Sequence, residues 1–130
     1  MVSTVLNGVE KVAFKFESFD VWKRAIEFAD KMFDVADSLP QKYQFSLGEQ
    51  LRRAALSIPT NLAEGSGRDN PKEKRYFYGL AKGSVYEVVS LLVMIGKRGH
   101  LTREEYRRYY GEADEIAAMI TGAIRAVGPS

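Results

Sequence analysis

Apolar residues recur every three or four positions in four separate segments of the chain, as in helices that bury one face. In the first segment, residues 20–37, the recurring positions are Trp22, Ala25, Ile26, Ala29, Met32, Phe33 and Ala36. In the last segment, residues 102–127, they are Tyr106, Tyr109, Tyr110, Ala113, Ile116, Ala117, Ile120, Ile124 and Val127. No segment of four or more residues alternates apolar and polar residues between bounding turns, so the pattern predicts four helices and no strand.

Each predicted helix carries local start and stop signals. The first helix, Asp20–Asp37, can be capped by Ser18 or Asp20 and is followed by Pro40. The other three begin with the patterns Ser46-x-x-Glu49, Asn70-Pro71-x-Glu73 and Thr102-x-x-Glu105, which supply side chains that satisfy free amide groups of the first turn. They end near Glu64, Lys97 and Val127, where glycines follow.

The links between these helices cover residues 38–45, 65–70 and 98–101. Short links force consecutive helices to lie side by side and antiparallel, which gives an up-down bundle. The predicted fold is therefore all-α: an antiparallel up-down four-helix bundle over residues 18–128, in one domain, after a loose N-terminal tail of residues 1–17.

The third helix has more apolar residues than one buried face can hold. Between Val85 and Ile95, every residue except Glu87 and Ser90 is apolar or aromatic. A helix that is apolar all round is buried all round, and a second copy of the chain would supply the cover. The predicted homo-oligomer interface consists of Val85, Val89, Leu92, Val93 and Met94. On the first helix, Val21, Phe28 and Val35 also lie off the main stripe.

Composition excludes several kinds of chemistry. The 130 residues include no cysteine and one histidine, His100. Disulfides and thiolate metal sites are therefore excluded, and we expect no metal site and no cofactor. The longest strongly apolar run, Val88–Ile95, is too short to span a bilayer, and the N-terminus has no secretory signal pattern. We expect a cytoplasmic protein with no membrane partner.

Positive charge is concentrated in the middle of the chain. Residues 41–110 hold 13 Lys and Arg against 7 Asp and Glu, although the whole chain has a net charge of only +2. The candidate nucleic-acid-binding residues form two clusters: Arg68, Lys72, Lys74 and Arg75, and Lys97, Arg98, Arg103, Arg107 and Arg108. These clusters lie at opposite ends of the third helix, about 37 Å apart. They indicate an anionic partner or an ordinary solvated surface.

The interleaved tyrosines could stack on bases if their rings were free. Tyr106 and Tyr110 lie on the predicted core stripe of the fourth helix, so we expect both rings to be committed to packing.

A polar row runs along the second helix beside its apolar arc. Its members are Gln50, Arg53, Ser57, Asn61 and Glu64, and Glu87 on the third helix is the expected carboxylate partner of Arg53. Three interpretations are open: a structural polar network that sets helix register, the lining of an oligomer interface or channel, and a catalytic or ligand site. We expect no catalytic residue and no enzyme, since Ser57 has no histidine or other base nearby in sequence.

Three stretches resemble one known family. They are residues 50–65, QLRRAALSIPTNLAEG; residues 19–25, FDVWKRA; and residues 77–87, with Ala81, Gly83, Ser84 and Glu87. Together they resemble the four helix bundle protein family, which is encoded in intervening sequences of bacterial large-subunit ribosomal RNA genes. The resemblance covers about residues 16–127.

The resemblance implies a homopentameric barrel without catalytic residues. A related branch, the accessory variability proteins of diversity-generating retroelements, implies RNA and a reverse transcriptase as partners. The leading hypothesis is thus a non-enzymatic homopentamer that binds RNA through basic surfaces and serves a reverse transcriptase. The alternative is an oligomeric structural or interaction module, encoded in a ribosomal RNA intervening sequence, without nucleic-acid binding.

Overall fold

Four long helices make up the computed structural model, which describes residues 13–129. They are α1 (Asp20–Asp37), α2 (Glu49–Ser66), α3 (Pro71–Lys97) and α4 (Arg103–Val127). No strand occurs within these described residues, so the predicted all-helical fold is confirmed.

Consecutive helices pack side by side and antiparallel. Contacts join α1 to α2, α2 to α3, α3 to α4, and α4 back to α1. Two ion pairs show the direction of the last pairing: Arg24 lies 3.1 Å from Glu115, and Lys31, two turns later on α1, lies 3.1 Å from Glu112. The sequence numbers run in opposite directions along the two helices, as an up-down arrangement requires.

The core of α1 includes Ala25, Ala29, Met32 and Ala36 of the predicted face, but its other members differ from the prediction. The structure buries Val21, Phe28 and Val35 to 6% exposure or less, together with Ala25 and Met32. This row repeats at alternating intervals of four and three, the pattern of a bundle seam. Trp22, Ile26 and Phe33, which were assigned to the core face, are only partly buried. Val21, Phe28 and Val35 fill the core of the monomer. The apolar surplus expected on the first helix is therefore absent.

Two of the predicted start signals are confirmed by their hydrogen bonds. The side chain of Asn70 accepts from the amides of Lys72, at 2.8 Å, and Glu73, at 3.3 Å. At the start of α4, Thr102 Oγ1 accepts from the Glu105 amide at 3.0 Å, and the Glu105 carboxylate accepts from the Thr102 amide at 2.9 Å. These bonds hold the pKa of Glu105 below its usual range, so the carboxylate is charged at neutral pH.

The predicted caps at Ser18 and Ser46 are wrong. Ser18 Oγ donates to Lys15 O instead, and α1 begins after Phe19 without a side-chain cap. The chain after Pro40 is already helical over Gln41–Tyr43, and a π-helical turn, Gln44–Gly48, carries it into α2. Because no free helix start exists at Ser46, its hydroxyl faces Tyr43 O at 3.4 Å and caps nothing.

The predicted tail, residues 1–17, falls mostly outside the described residues. Of its described part, Lys15–Ser18 forms one 3₁₀ turn rather than a loose segment. Phe16 in this turn packs edge-on against Trp22, with ring centroids 4.9 Å apart. Within the described residues, this turn therefore packs against the bundle ahead of residue 18.

The helix α3 is long and apolar enough to cross a membrane by length and composition alone. Its most apolar window has a mean hydropathy of 1.4, and it is the one such helix among residues 13–129. The central helix of a soluble bundle has the same properties, because one side of it is core. In α3 that side includes Ala81, Val88 and Ile95, each with no exposed surface. Hydropathy therefore gives no more than weak evidence for a membrane.

Loss of the α4 cap gives the first testable prediction. We expect Thr102→Ala to lower the free energy of unfolding by about 1 kcal/mol, since the Glu105 amide would lose its acceptor. Thr60→Ala is the matched control, because Thr60 is an exposed mid-helix residue whose hydroxyl only bonds back to Leu56 O. Urea unfolding followed by circular dichroism measures both changes. Equal effects of the two substitutions would contradict the capping role.

Candidate nucleic-acid and assembly surfaces

The polar row on α2 is only partly a network. Arg53 is exposed, with 74% of its side-chain surface accessible, and its nearest carboxylate is Glu49 at 3.9 Å. Glu87 is exposed and forms no ion pair within residues 13–129. The predicted buried Arg53–Glu87 pair is therefore wrong. The long Arg53 side chain extends into solvent beside Glu49 on its own helix instead of reaching across to α3.

Other members of the row do lie at the α2–α3 seam. Ser57 Oγ lies 2.7 Å from Ala54 O and 2.5 Å from Ser84 Oγ on α3, and Asn61 Nδ2 donates to Ser57 O at 2.8 Å. Gln50 is exposed, and Glu64 pairs with Arg68 one turn later at 2.7 Å. Ser57 has serine and backbone neighbours rather than a base, so it serves as a contact between helices.

The close approach of α2 and α3 occurs at Gly65. A Cβ atom at this position would lie 2.7 Å from Tyr78 Cε1 and 3.1 Å from Phe77 Cβ. At Gly83 on α3, a Cβ would meet nothing within 4 Å. Gly65, the last residue of the stretch 50–65, therefore has a packing function. Gly83 lies on the outside of α3.

The predicted oligomer interface divides into two groups. Val85 and Leu92 are 1% and 0% exposed, so they belong to the monomer core and are not available to a partner. The assignment of Val85 and Leu92 to the interface is wrong, because both lie in the row of α3 that faces the other helices. Val93 and Met94 are 42% and 47% exposed, and Val89 is partly buried. These three remain accessible.

The outer side of α3 is unusually apolar. Its large exposed side chains are Tyr76, Leu80, Tyr86, Val93 and Met94. Between them lie the exposed small residues Gly79, Gly83 and Ser90. We call these eight residues the outer α3 face. Tyr76 and Leu80 were missed from the sequence, although they continue the spacing of Gly83, Glu87 and Met94 along the helix.

Three members of the first basic cluster are used within the chain. Lys74 Nζ donates to the last carbonyls of α2, Gly65 O at 3.3 Å and Ser66 O at 3.0 Å. Arg75 donates to Gly128 O, just past the end of α4. Arg68 pairs with Glu64 at 2.7 Å, and its guanidinium carbon lies 4.9 Å from the centre of the Phe77 ring. Cations at helix C-termini stabilise the carbonyl ends, which explains their positions without a nucleic acid.

The second basic cluster is exposed. Lys97, Arg98, Arg103, Arg107 and Arg108 are all exposed, and none forms an ion pair with a carboxylate in the described part of the chain. Arg98 Nε donates to the hydroxyl of Tyr43 at 2.9 Å, which ties the α1–α2 connection to this end. Lys42 lies 5.3 Å from the centre of the same ring. We call the following six residues the basic end: Lys42, Lys97, Arg98, Arg103, Arg107 and Arg108.

Lys42 was missed because it is remote in sequence from the other members of the basic end. The up-down topology could have found it, since that topology puts the first and third links at the same end of the bundle.

Of the three α4 tyrosines on the predicted core stripe, only Tyr110 lies outside the core. Tyr109 is 9% exposed and belongs to the core, while Tyr110 is 50% exposed and Tyr106 is partly buried. The Arg108 guanidinium carbon lies 5.0 Å from the centre of the Tyr109 ring, so this cation–π contact is at the edge of the core. Tyr110, rather than Tyr109, has a face available to a ligand.

Metal-binding residues are dispersed. Within residues 13–129, no group of three or more His, Asp or Glu side chains is placed to hold a metal ion. His100 packs against Tyr43, with ring centroids 5.5 Å apart. The surfaces that stand out are therefore the outer α3 face and the basic end.

These features define an all-helical four-helix bundle with an exposed apolar helix face and an exposed basic end. The family described as 23S rRNA-intervening sequence protein matches residues 17–122. The chain belongs to this family, as its resemblance at residues 19–25, 50–65 and 77–87 indicated. No curated protein matches the sequence.

A solved structure has the same fold. It is a crystal structure of a protein with unknown function from the S23 ribosomal protein family, from Bacteroides thetaiotaomicron. The two chains are 21% identical with a TM-score of 0.75, and the match covers 80% of this chain and 97% of that one. At this identity the similarity supports the fold, and it carries no function across.

Proposed function

We propose that the chain is a non-enzymatic homo-oligomer, a ring of five subunits, that binds RNA through the basic end. The observation that carries RNA binding is the exposure of the basic end, whose five α3–α4 cations have no carboxylate partner among residues 13–129. These cations would neutralise RNA phosphates and release the counterions condensed on the RNA. The first basic cluster is a poor second site, since Lys74 and Arg75 cap helix ends.

Assembly would follow from the outer α3 face. Five large apolar side chains, between 41% and 63% exposed, lie along one side of a single helix. Large apolar side chains exposed together on one side of a helix favour an interaction site there. The ring size of five comes from the family resemblance. A ring would repeat the basic end around one rim, so one long RNA could contact several copies at once, which raises its avidity.

A reverse transcriptase partner is the narrower form of this proposal. It follows from the retroelement branch of the family and from no particular residue of this chain. A reverse-transcriptase gene beside the gene for this chain would favour it. A gene position inside a ribosomal RNA gene would favour the intervening-sequence role instead.

The alternative function is an oligomeric interaction module without RNA. One observation favours it: the outer α3 face is apolar and shares no residue with the basic end, so assembly does not require a nucleic acid. The two functions differ in one property, the dependence of binding on the cations of the basic end.

Charge removal at the basic end tests the RNA-binding proposal. We expect Arg103→Ala with Arg107→Ala to weaken RNA binding and to lower the slope of log K against log salt by about 1.4 for single-stranded RNA. The matched control is Lys23→Ala with Arg125→Ala, which removes two exposed charges at the opposite end. Filter binding or fluorescence anisotropy over a salt series measures the slope. The same loss in both double variants would mean that only net charge matters, and would reject a localised site.

A further inference from the structure

A cavity of about 530 Å³ opens at the other end of the bundle, away from the basic end. It lies where α2 and α4 finish and α3 begins, and the turn Lys15–Ser18 forms one wall. A volume of this size is in the usual range for sites that bind small molecules. No residue of the outer α3 face lines it.

Two nearly buried hydroxyl groups line this cavity without a hydrogen bond. Ser66 is 7% exposed and Tyr78 is 6% exposed. Neither hydroxyl donates to or accepts from another group within residues 13–129, and neither is sealed from solvent. Burial raises the pKa of Tyr78, so its hydroxyl keeps its proton at neutral pH. Both hydroxyls line the cavity without a protein partner, so each can donate to a ligand that displaces water from it.

Two ammonium groups share the same cavity. Lys74 Nζ donates to Gly65 O and Ser66 O, which leaves one of its three N–H groups free. Lys15 forms no ion pair in the described part of the chain. Burial, and then the charge of Lys15, lower the pKa of Lys74, while Asp69 acts in the opposite direction. No carboxylate lines the cavity, so an anion would relieve the repulsion between the two lysines.

The remaining wall is apolar. Phe19, Ala123, Ala126 and Val127 contribute carbon surface, and most of the lining is apolar. A fully hydrated inorganic ion would leave this wall without a partner. A ligand with an apolar part would cover it, at about 25 cal/mol for each Å² of apolar surface removed from water.

We propose that this cavity is a binding site for a small organic anion with a short apolar body. The anionic head, a carboxylate or a phosphate ester, lies between Lys15 and Lys74 and accepts from the hydroxyls of Ser66 and Tyr78. The apolar body packs against Phe19 and the end of α4. This site is independent of RNA binding, because the basic end lies at the opposite end of the bundle.

Calorimetric titration of the full chain with octanoate, and separately with octyl phosphate, tests the site. We expect saturable binding of at least one of the two probes, with one molecule per chain. Acetate and inorganic phosphate lack the apolar body, and octan-1-ol lacks the anionic head. We expect each to bind about tenfold more weakly or worse. The ratio of affinities for the two probes distinguishes a carboxylate ligand from a phosphate ligand.

Two variants and two matched controls locate the binding. We expect Lys15→Ala to weaken the preferred probe about fivefold or more, since it removes one charged partner. Ala126→Phe should abolish binding by filling the cavity, and Ala126 is exposed, so the fold should tolerate the ring. Lys72→Ala and Ala118→Phe change exposed residues that do not line the cavity, and should leave the affinity unchanged. Circular dichroism confirms that each variant is folded.

Two results would overturn the proposal. One is the absence of saturable binding of both probes to the folded wild-type chain. The other is that Lys15→Ala and Ala126→Phe bind the probes as tightly as their control variants do. That result would place the probes on another apolar surface, such as the outer α3 face.

Discussion

Replacing Gly65 by alanine is expected to destabilise the bundle by about 1–3 kcal/mol. The added Cβ would lie 2.7 Å and 2.8 Å from two carbons of the Tyr78 ring, closer than such atoms can approach. The ring cannot move away easily, because Tyr78 is 6% exposed and packs on Phe19 with ring centroids 5.7 Å apart. The helices α2 and α3 would have to separate at this contact.

Gly122→Ala is the matched control for Gly65→Ala. Gly122 lies within α4, and a Cβ there would meet nothing within 4 Å. Alanine should therefore stabilise the helix by about 0.5–1 kcal/mol, through the lower entropy loss on folding. Chemical unfolding of both variants measures the difference. A Gly65→Ala variant as stable as Gly122→Ala would show that α2 and α3 do not meet closely at this residue.

Leu92→Ala is expected to reduce the free energy of unfolding by about 2–5 kcal/mol, since Leu92 has no exposed surface and fills the core of the monomer. Two residues later on the same helix, Met94→Asp should have a different effect. Met94 is 47% exposed, so an aspartate there remains hydrated in the free subunit. In the proposed assembly it would bury a charge, and the oligomer should dissociate.

Light scattering and circular dichroism separate these two effects. We expect Met94→Asp to have a mass near 14.6 kDa, that of one chain, with its helical content retained. Leu92→Ala should unfold at lower denaturant concentration. An oligomer whose mass is unchanged by Met94→Asp would exclude Met94 from the interface.

Signals that act within one turn were predictable from the sequence. Asn70 and Thr102 cap helices because their partners are the amides two or three residues away, and no distant contact competes. Ser46 has the same pattern as Thr102, but the chain is already helical after Pro40. A capping pattern therefore predicts a helix start only where the preceding residues are not helical.

Which of two adjacent apolar rows faces the core could not be read from spacing alone. On α1, the rows that contain Val21 and Trp22 are neighbours, and both are apolar. The bundle buries the row of Val21, while the larger Trp22 covers the edge of the core and packs on Phe16. On α3 the same ambiguity assigned Leu92 to an interface. Tertiary packing resolves it, since only one row faces the neighbouring helices.

The predictions for the polar residues were wrong for a related reason. Arg53 borders the apolar arc in a helical projection, and a half-buried arginine needs a carboxylate. The Arg53 side chain is long enough to turn outward to Glu49, so it is not half-buried and needs no carboxylate from α3. Lys74 and Arg75 instead use their charges on the carbonyl ends of α2 and α4, contacts that depend on which helix ends meet.

The most direct test of the proposed function is RNA binding by the wild-type chain over a salt series, with the mass of the complex measured in the same samples. We predict binding by an oligomer, with an affinity that falls steeply and linearly on a logarithmic scale as salt increases. An intact oligomer that binds neither a structured nor a single-stranded RNA at low salt would contradict RNA binding, and would leave the interaction module as the function of this fold.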